Sequence, residues 1–144
     1  MMQLIQIKYG TDLYNDEVKL RDEVLRAPLG LKFSEEDLKA EKDELRYGLL
    51  DADGKLAACL LVRVIGASYF KLRQMAVREE LRGRGVGREL VQKVEGELKK
   101  KNKTTIELNA RMYAKMFYEK LGYAPSGETF TEVGIPHVKM VKKL

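Results

Sequence analysis

The sequence predicts a mixed α/β (α+β) domain with a mostly antiparallel central sheet of about six to seven strands flanked by helices. Three observations support this prediction. Apolar, strand-like segments surround an Asp-Gly turn, amphipathic segments predict helices, and one strand–helix–strand unit lies in the second half. The predicted order along the chain is β-α-β-β-β-α-β-α-β-β.

The first predicted element is a strand over residues 3–9, where apolar and polar residues alternate. A helix follows to about residue 27, with Thr11 or Asp12 as its N-cap and Pro28-Leu29-Gly30 at its end. Residues 31–43 are polar and acidic, and they predict a loop or a short helix.

Three strands come next. Segments 45–51 and 55–65 form a hairpin around Asp53-Gly54, because glycine accepts the positive φ angles that tight turns require. Nearly every residue from Leu56 to Val64 is apolar, which is typical of a strand buried on both faces. The third strand covers residues 69–77.

The second half predicts a helix over about 85–100, a strand over 104–110 and a helix over 114–121 that ends at Gly122. The first of these helices carries an apolar stripe. Its residues are Leu90, Val91, Val94 and Leu98. Two last strands, about 127–133 and 137–142, enclose Gly134-Ile135-Pro136.

Length, charge and composition limit the function. The 144 residues fit one domain, 1–144, and the net charge of +5 favours an anionic partner such as a phosphate-bearing cofactor, nucleic acid or an acidic surface. A single cysteine, Cys59, excludes an intramolecular disulfide framework, and a single histidine disfavours a metal site. No stretch is long and apolar enough for a membrane span, and the N-terminus lacks signal-peptide features. A cytoplasmic protein without a membrane partner is expected.

The segment Arg82-Gly83-Arg84-Gly85-Val86-Gly87 predicts a diphosphate-binding loop. It follows a strand and leads into a helix, whose N-terminus has unpaired N–H groups that attract phosphate. Glycine lets those amides approach a ligand, and the arginines add charge-assisted donors. The segment fits neither the P-loop, since no Gly-Lys-Ser/Thr follows, nor the dinucleotide glycine spacing.

Two motifs in this sequence resemble one family. Arg82-x-x-Gly85-x-Gly87, after a strand that ends in Met75-Ala76-Val77, resembles the acetyl-CoA motif of the GNAT (Gcn5-related N-acetyltransferase) family. The segment AKMFYEKLGY from Ala114 resembles that family's A-x-x-F-Y-x-x-x-G-F/Y segment, and the order of elements resembles its fold along the whole chain. The segments GETFTE (127–132) and GIPHV (134–138) resemble its ElaA-type branch.

The resemblance implies a GNAT-like fold and an N-acetyltransferase that moves an acetyl group from acetyl-CoA to a primary amine by direct attack. It implies that the pantetheine arm pairs with the strand that ends at Val77, that a backbone N–H near Met75 polarises the thioester carbonyl, and that the loop amides bind the diphosphate. The implied acetyl-CoA-binding residues are Met75, Ala76, Val77, Arg82, Gly83, Arg84, Gly85, Val86, Gly87, Arg88, Asn109, Arg111 and Ala114.

The resemblance also implies that Tyr118 is the general acid that protonates the departing thiolate. Many members have an asparagine seven residues before that tyrosine, where this chain has Arg111. Either Asn109 replaces it from the strand end, or Arg111 reaches a phosphate of the cosubstrate. The fourth strand carries no acidic residue to act as the base, which leaves Glu107, Glu132 and His137 as candidates.

The acceptor and the quaternary structure are less defined. A small-molecule or peptide amine is expected as acceptor, and a homodimer through the last strands is implied only by the resemblance. Arg21, Arg26 and the acidic residues 35–44 either belong to the variable acceptor wall of the family or form a solvated face.

Two other function classes compete with acetyl transfer. One is a non-catalytic acyl-CoA-binding sensor. The other is a basic nucleic-acid-binding module that uses Arg82, Arg84 and Lys99–Lys103. The absence of stacking aromatic residues beside this basic patch disfavours a nucleic-acid partner.

Overall fold

The computed structural model describes residues 2–100 and 104–144, which form one eight-stranded sheet with helices on both faces. The strands are β1 (Gln3–Gln6), β2 (Leu45–Leu50), β3 (Leu56–Gly66), β4 (Tyr69–Val77), β5 (Thr105–Arg111), β6 (Ala124–Pro125), β7 (Phe130–Glu132) and β8 (Ile135–Lys143). The α-helices are α1 (Asp12–Arg21), α2 (Glu35–Ala40), α3 (Val86–Lys99) and α4 (Lys115–Lys120).

The sheet order is β1-β2-β3-β4-β5-β8-β6, with β7 paired to β8. Every neighbouring pair is antiparallel except β4 and β5, which are parallel and connected through α3. The predicted mixed, mostly antiparallel α/β fold is therefore confirmed. The predicted strand number is too low, because β6 has only two residues and so carries no alternating pattern.

The N-terminal boundaries differ from the prediction. Strand β1 ends at Gln6, three residues before the predicted end, and α1 begins where the Thr11 side chain accepts a hydrogen bond from the Tyr14 N–H. Helix α1 continues as a π-helical turn over Asp22–Arg26 and a 3₁₀ turn over Ala27–Leu29. Such turns cannot be read from a helical stripe, because they change the backbone hydrogen bonding and not the side-chain pattern.

The last hairpin is tighter than predicted. Strands β7 and β8 are joined by Val133 and Gly134 alone, with φ angles of 46° and 75°. Ile135 and Pro136, which the sequence places in the turn, pair instead with Glu132 and Thr131. A positive φ is strained for a β-branched residue, so Val133 stores backbone strain beside the segment that carries Glu132.

The sheet buries one hydrophobic cluster on each face. The larger cluster packs α3 against the sheet, and the predicted stripe of Leu90, Val91, Val94 and Leu98 is at most 1% exposed. The smaller cluster packs α1 against the opposite face and includes Cys59. Burial raises the pKa of the Cys59 thiol, which therefore acts as a small core residue and not as a nucleophile.

A buried ionic network fixes α1 over the sheet. The Arg21 Nη2 atom donates to both Glu41 carboxylate oxygens at 2.7 and 2.8 Å, and Arg46 Nε lies 3.3 Å from Glu17 Oε2. Arg21 is fully buried, which excludes the solvated face that the sequence left open for it. Burial raises the pKa of Glu17 against the opposing effect of Arg21 and Arg46.

Two glycines offer a matched stability test. A Cβ at Gly48 lies 2.6 Å from Leu56 Cδ1 and 3.0 Å from Ile7 Cδ1, whereas nothing lies within 4 Å of one at Gly96 on α3. We expect Gly48→Ala to lower the free energy of unfolding by about 1–3 kcal/mol through overpacking. Gly96→Ala should raise it by about 0.5–1 kcal/mol, because alanine is the better helix former. Urea denaturation measures both changes, and equal midpoints for the two variants would contradict this packing.

Candidate functional site

A cleft opens where the two parallel strands separate. Strands β4 and β5 pair only from Tyr69 to Leu72 and from Thr105 to Leu108. Beyond these residues β4 continues with β3 alone, and β5 continues with β8 alone. The gap forms a cavity of about 830 Å³.

A β-bulge in β4 coincides with the separation. Cys59 faces Ala76 and Leu61 faces Arg73, so Leu60 stands opposite two residues, Gln74 and Met75. Bulges bend the strand that carries them, and Gln74 takes a left-handed φ of 56°. Its side-chain Oε1 is buried in the cleft lining without a hydrogen-bond partner in the described residues. A buried, unpaired acceptor at a strained backbone position is a feature that clusters at functional sites.

The glycine-rich loop lies at the α3 end of the cleft. Gly83 and Gly85 have φ angles of 77° and 79°, and nothing lies within 4 Å of a Cβ at either position. Gly85 is the N-cap of α3 and provides no side-chain hydrogen bond, so the N–H groups of the first turn lack helical partners. Arg82 and Arg88 also line the cavity. This arrangement fits a diphosphate, which amides and guanidinium groups bind together.

At position 87, glycine is needed for close packing. A Cβ there lies 3.4 Å from Phe117 Cζ, 3.5 Å from Val77 Cγ2 and 3.7 Å from Met75 Cε. Glycine therefore lets the first turn of α3 lie directly against both β4 and α4, which closes the side of the cleft.

Tyr118 lies at the inner part of the cleft. Its Oη atom is 4.0 Å from Met75 Sδ, and its ring makes edge-to-face contacts with Phe117 and Tyr123. Burial, and secondarily the neighbouring Tyr113, raise the pKa of Tyr118, so the phenol keeps its proton throughout the neutral pH range. Tyr118 is thus in the protonated form that a general acid requires.

His137 and Glu132 form a pair on the other wall of the cavity. His137 is 3% exposed, and its Nδ1 lies 2.7 Å from the Ile135 carbonyl oxygen. A carbonyl oxygen only accepts, so Nδ1 carries the hydrogen and Nε2 of the neutral ring holds a free lone pair. Nε2 faces Glu132 Oε2 at 3.6 Å. The carboxylate therefore stabilises the ring once Nε2 gains a proton.

The end of β5 turns towards α1. Arg111 Nη2 donates to the Leu25 carbonyl oxygen at 3.2 Å, on the turn that follows α1. Asn109 and Ala114 line the same cavity. Glu107, the remaining predicted base, is not in the cavity lining and lies 3.8 Å from Lys139 Nζ.

The structure brings most of the predicted site residues into one cavity. Those that line it are Met75, Val77, Arg82, Gly83, Gly85, Val86, Gly87, Arg88, Asn109, Arg111, Ala114, Tyr118, Glu132 and His137. The Ala76 side chain packs with Cys59 on the α1 face, so only its backbone belongs to the cleft strand. Arg84 is exposed outside the lining.

Sequence reasoning missed Gln74 as a site residue. Its role depends on the bulge, which no residue type signals. The sequence also contains no sign that Arg26 and Arg111 lie close together. They are 85 positions apart, and the register of β5, which places Arg111, is set by tertiary pairing.

The basic residues suggested for nucleic acid do not form one patch. Arg82 and Arg84 precede α3, whereas Lys99 ends it, and a 14-residue helix is about 21 Å long. Residues 101–103 of the lysine cluster lie outside the described residues. No helix within residues 2–100 and 104–144 has the length and apolar character of a membrane span.

Most of the chain, including the cleft, matches a known protein family. The family described as "Acetyltransferase (GNAT) domain" matches residues 29–144. The uncharacterised protein YyaT of Bacillus subtilis (strain 168) is 37% identical over 82 residues, which are 57% of this chain and 55% of YyaT. The matched segment thus spans about half the length of that relative.

Solved structures share the fold along nearly the whole chain. Escherichia coli ElaA superposes with a TM-score of 0.82 at 20% identity, covering 99% of each chain. A GNAT family acetyltransferase from Elizabethkingia anophelis, with acetyl-CoA bound, superposes with a TM-score of 0.76 at 16% identity, covering 99% of this chain and 98% of its own. At these identities the likeness shows the fold, and the ElaA-type branch stays a prediction.

Proposed function

The chain belongs to the GNAT acetyltransferase family, and from that membership we propose that it transfers an acetyl group from acetyl-CoA to a primary amine by direct attack. The observation that carries the proposal is the cleft between β4 and β5. It brings together a glycine-rich loop that fits an anion and the side chains of Tyr118 and His137 within one cavity. When bound, acetyl-CoA supplies the acetyl group as a reactive thioester.

The residues of the cleft fit this cosubstrate. The open edge of β4 from Met75 to Val77 offers unpaired backbone groups to an extended amide-containing chain. The amides at the start of α3, with Arg82 and Arg88, offer a site for a diphosphate.

His137 is the proposed base. An amine with a pKa of about 10.4 is almost wholly protonated at pH 7, so direct attack requires removal of its proton. The free lone pair on His137 Nε2 takes that proton in the cleft, directly or through water, and the Glu132 carboxylate stabilises the resulting imidazolium. Tyr118 Oη delivers a proton on the opposite wall, to the departing sulfur.

An amine panel tests the reaction class. Purified protein is incubated with acetyl-CoA and a broad set of primary amines, and free thiol and acetylated amine are quantified together. Equal amounts of both products, above an amine-free control, are expected. Binding of acetyl-CoA without transfer to any amine would favour the non-catalytic sensor. Salt-dependent RNA binding without acetyl-CoA binding would favour the nucleic-acid module.

We expect His137→Gln to lower kcat/KM for the amine by about 10²–10⁴-fold, the usual contribution of a positioned general base. Steady-state kinetics with one amine at a fixed pH measure the change. A kcat/KM within about twofold of that of the unmodified protein would contradict the assignment. The melting-temperature shift caused by acetyl-CoA should be unchanged and controls for misfolding.

Glu132→Gln provides the matched, milder variant. The Glu132 side chain is 52% exposed, so solvent screens its attraction for the imidazolium. We expect kcat/KM for the amine to decrease only a few-fold in this variant, measured under the same conditions.

Three further expectations concern the domain organisation, the cellular compartment and the quaternary structure. We propose that residues 1–144 act as one domain and that the protein works in the cytoplasm, where a buried free thiol such as Cys59 stays reduced. The homodimer through the last strands stays a prediction.

A further inference from the structure

Four basic side chains line the part of the cavity that faces α1, namely Arg26, Lys71, Arg73 and Arg111. Two of them have carboxylate groups nearby. Arg73 Nη1 donates to Glu44 Oε1 at 2.6 Å, and Lys71 stands opposite Glu107 in the sheet. Arg26 and Arg111 are different, since the ion pairs of the described residues include neither guanidinium.

The two guanidinium groups converge on one oxygen. Arg26 Nη1 lies 3.4 Å, and Arg111 Nη2 3.2 Å, from the carbonyl oxygen of Leu25. Arg111 Nη1 also lies 3.3 Å from Tyr113 Oη, and the Phe33 ring packs under Arg26 at 4.5 Å from Cζ to the ring centroid. These contacts hold the two cations side by side at the wall of the cavity.

This arrangement is costly without a counter-ion. Burial, and then the charge of Arg111, lower the pKa of Arg26, while the acids that oppose this shift are already engaged. Asp37 caps α2 together with Ser34, and Glu41 receives Arg21. An anion bound between these two half-buried like charges would offset their repulsion and desolvation.

We infer that Arg26 and Arg111 bind an anionic group, a carboxylate or a phosphate, that the acceptor amine carries apart from its amino group. This inference rests on the proposed acetyl transfer and names its acceptor class. Guanidinium forks match the paired oxygens of both anions. The diphosphate of acetyl-CoA is assigned to the loop at α3, which packs on the sheet face opposite α1. Arg26 and Arg111 both contact Leu25 on the α1 side of the cavity, away from that loop, which favours the anion of the acceptor over a phosphate of the cosubstrate.

Matched amines test the inference. kcat/KM is measured with saturating acetyl-CoA for α- and ω-amino acids against their carboxamides, and for phosphoethanolamine against ethanolamine. The anionic member of at least one pair should be preferred by roughly tenfold or more, as expected when charge-assisted hydrogen bonds are formed. The pair that shows the preference identifies carboxylate or phosphate as the anion.

Variants assign the preference to the two arginines. Arg26→Gln and Arg111→Gln should each reduce the ratio of anionic to neutral amine towards one, and Arg26→Lys should retain part of it, since lysine keeps the charge but loses the fork. Lys19→Gln, which removes one positive charge from the exposed face of α1, should leave the ratio unchanged.

Three results would overturn the inference. The first is equal use of neutral and anionic amines by the unmodified protein, which leaves the proposed acetyl transfer intact. The second is loss of the acetyl-CoA-induced melting shift in Arg26→Gln or Arg111→Gln, which would assign the pair to the cosubstrate. The third is acetyl-CoA binding without transfer to any anionic amine. A failure of the unmodified protein to bind acetyl-CoA would be recognised separately, because it removes the proposed function as well.

Discussion

Gly85→Glu will lose at least about a hundredfold in acetyl-CoA affinity while the protein stays folded. The position has a φ of 79° and open space around it, so the side chain adds strain of about 1–2 kcal/mol but no clash. The new carboxylate stands at the N-cap of α3, among the amides and the Arg82 guanidinium that would otherwise receive a diphosphate. The new carboxylate repels the diphosphate and also blocks its approach to the amides, and both effects lower the affinity for acetyl-CoA.

Ligand-induced stabilisation measures this loss without an acceptor. A ligand at a hundred times its Kd stabilises the native state by about 2.7 kcal/mol. That corresponds to a rise in Tm of roughly 8 °C for a chain of this size. Gly85→Glu should show almost no rise. Gly10→Glu is the matched control, because Gly10 has a φ of 81°, equally open surroundings and no place in the cavity lining. A full acetyl-CoA-induced rise in Tm for Gly85→Glu would show that the diphosphate does not bind at this loop.

Tyr118→Phe will reduce kcat by about 10²–10⁴-fold and leave acetyl-CoA affinity nearly unchanged. The substitution removes one oxygen and keeps the ring that contacts Phe117 and Tyr123, so the packing of α4 is preserved. Burial raises the pKa of Tyr118, so its proton is present below pH 10 and its ionisation should not produce an alkaline limb in that range.

Single-turnover measurements separate this effect from substrate binding and product release. If the Tyr118 side chain only packs α4, Tyr118→Phe will match the unmodified protein in rate, and the general acid must then be sought elsewhere in the cleft. A rate that falls only because the variant unfolds would be recognised by its lower Tm without ligand.

The sequence predicted the elements whose signals are local. Strand β4 has the predicted bounds, Tyr69–Val77, because the turn at Gly66 and the polar loop after Val77 limit this segment on both sides. Helix α3 begins one residue after its predicted start, because Gly85 acts as the N-cap. Loop chemistry was equally local, since glycines and arginines at a helix start predict an anion site without any knowledge of tertiary contacts.

Features that depend on register or on pairing across the sheet could not be predicted. The bulge at Gln74 arises from how β4 aligns with Leu60, and the position of the last turn arises from how Thr131 and Glu132 align with β8. His137 and Glu132 were separate candidates in the sequence. Their 3.6 Å approach follows from the tight turn at Val133 and Gly134, which brings the two strands into contact.

Calorimetric titration of the purified protein with acetyl-CoA tests the central claim most directly, because it requires neither the acceptor nor a substitution. A single class of sites with micromolar affinity, occupied once per chain, is the predicted result. Absence of binding heat up to about 1 mM acetyl-CoA, repeated at a second temperature, would contradict the assignment of the cleft between β4 and β5 to this cosubstrate.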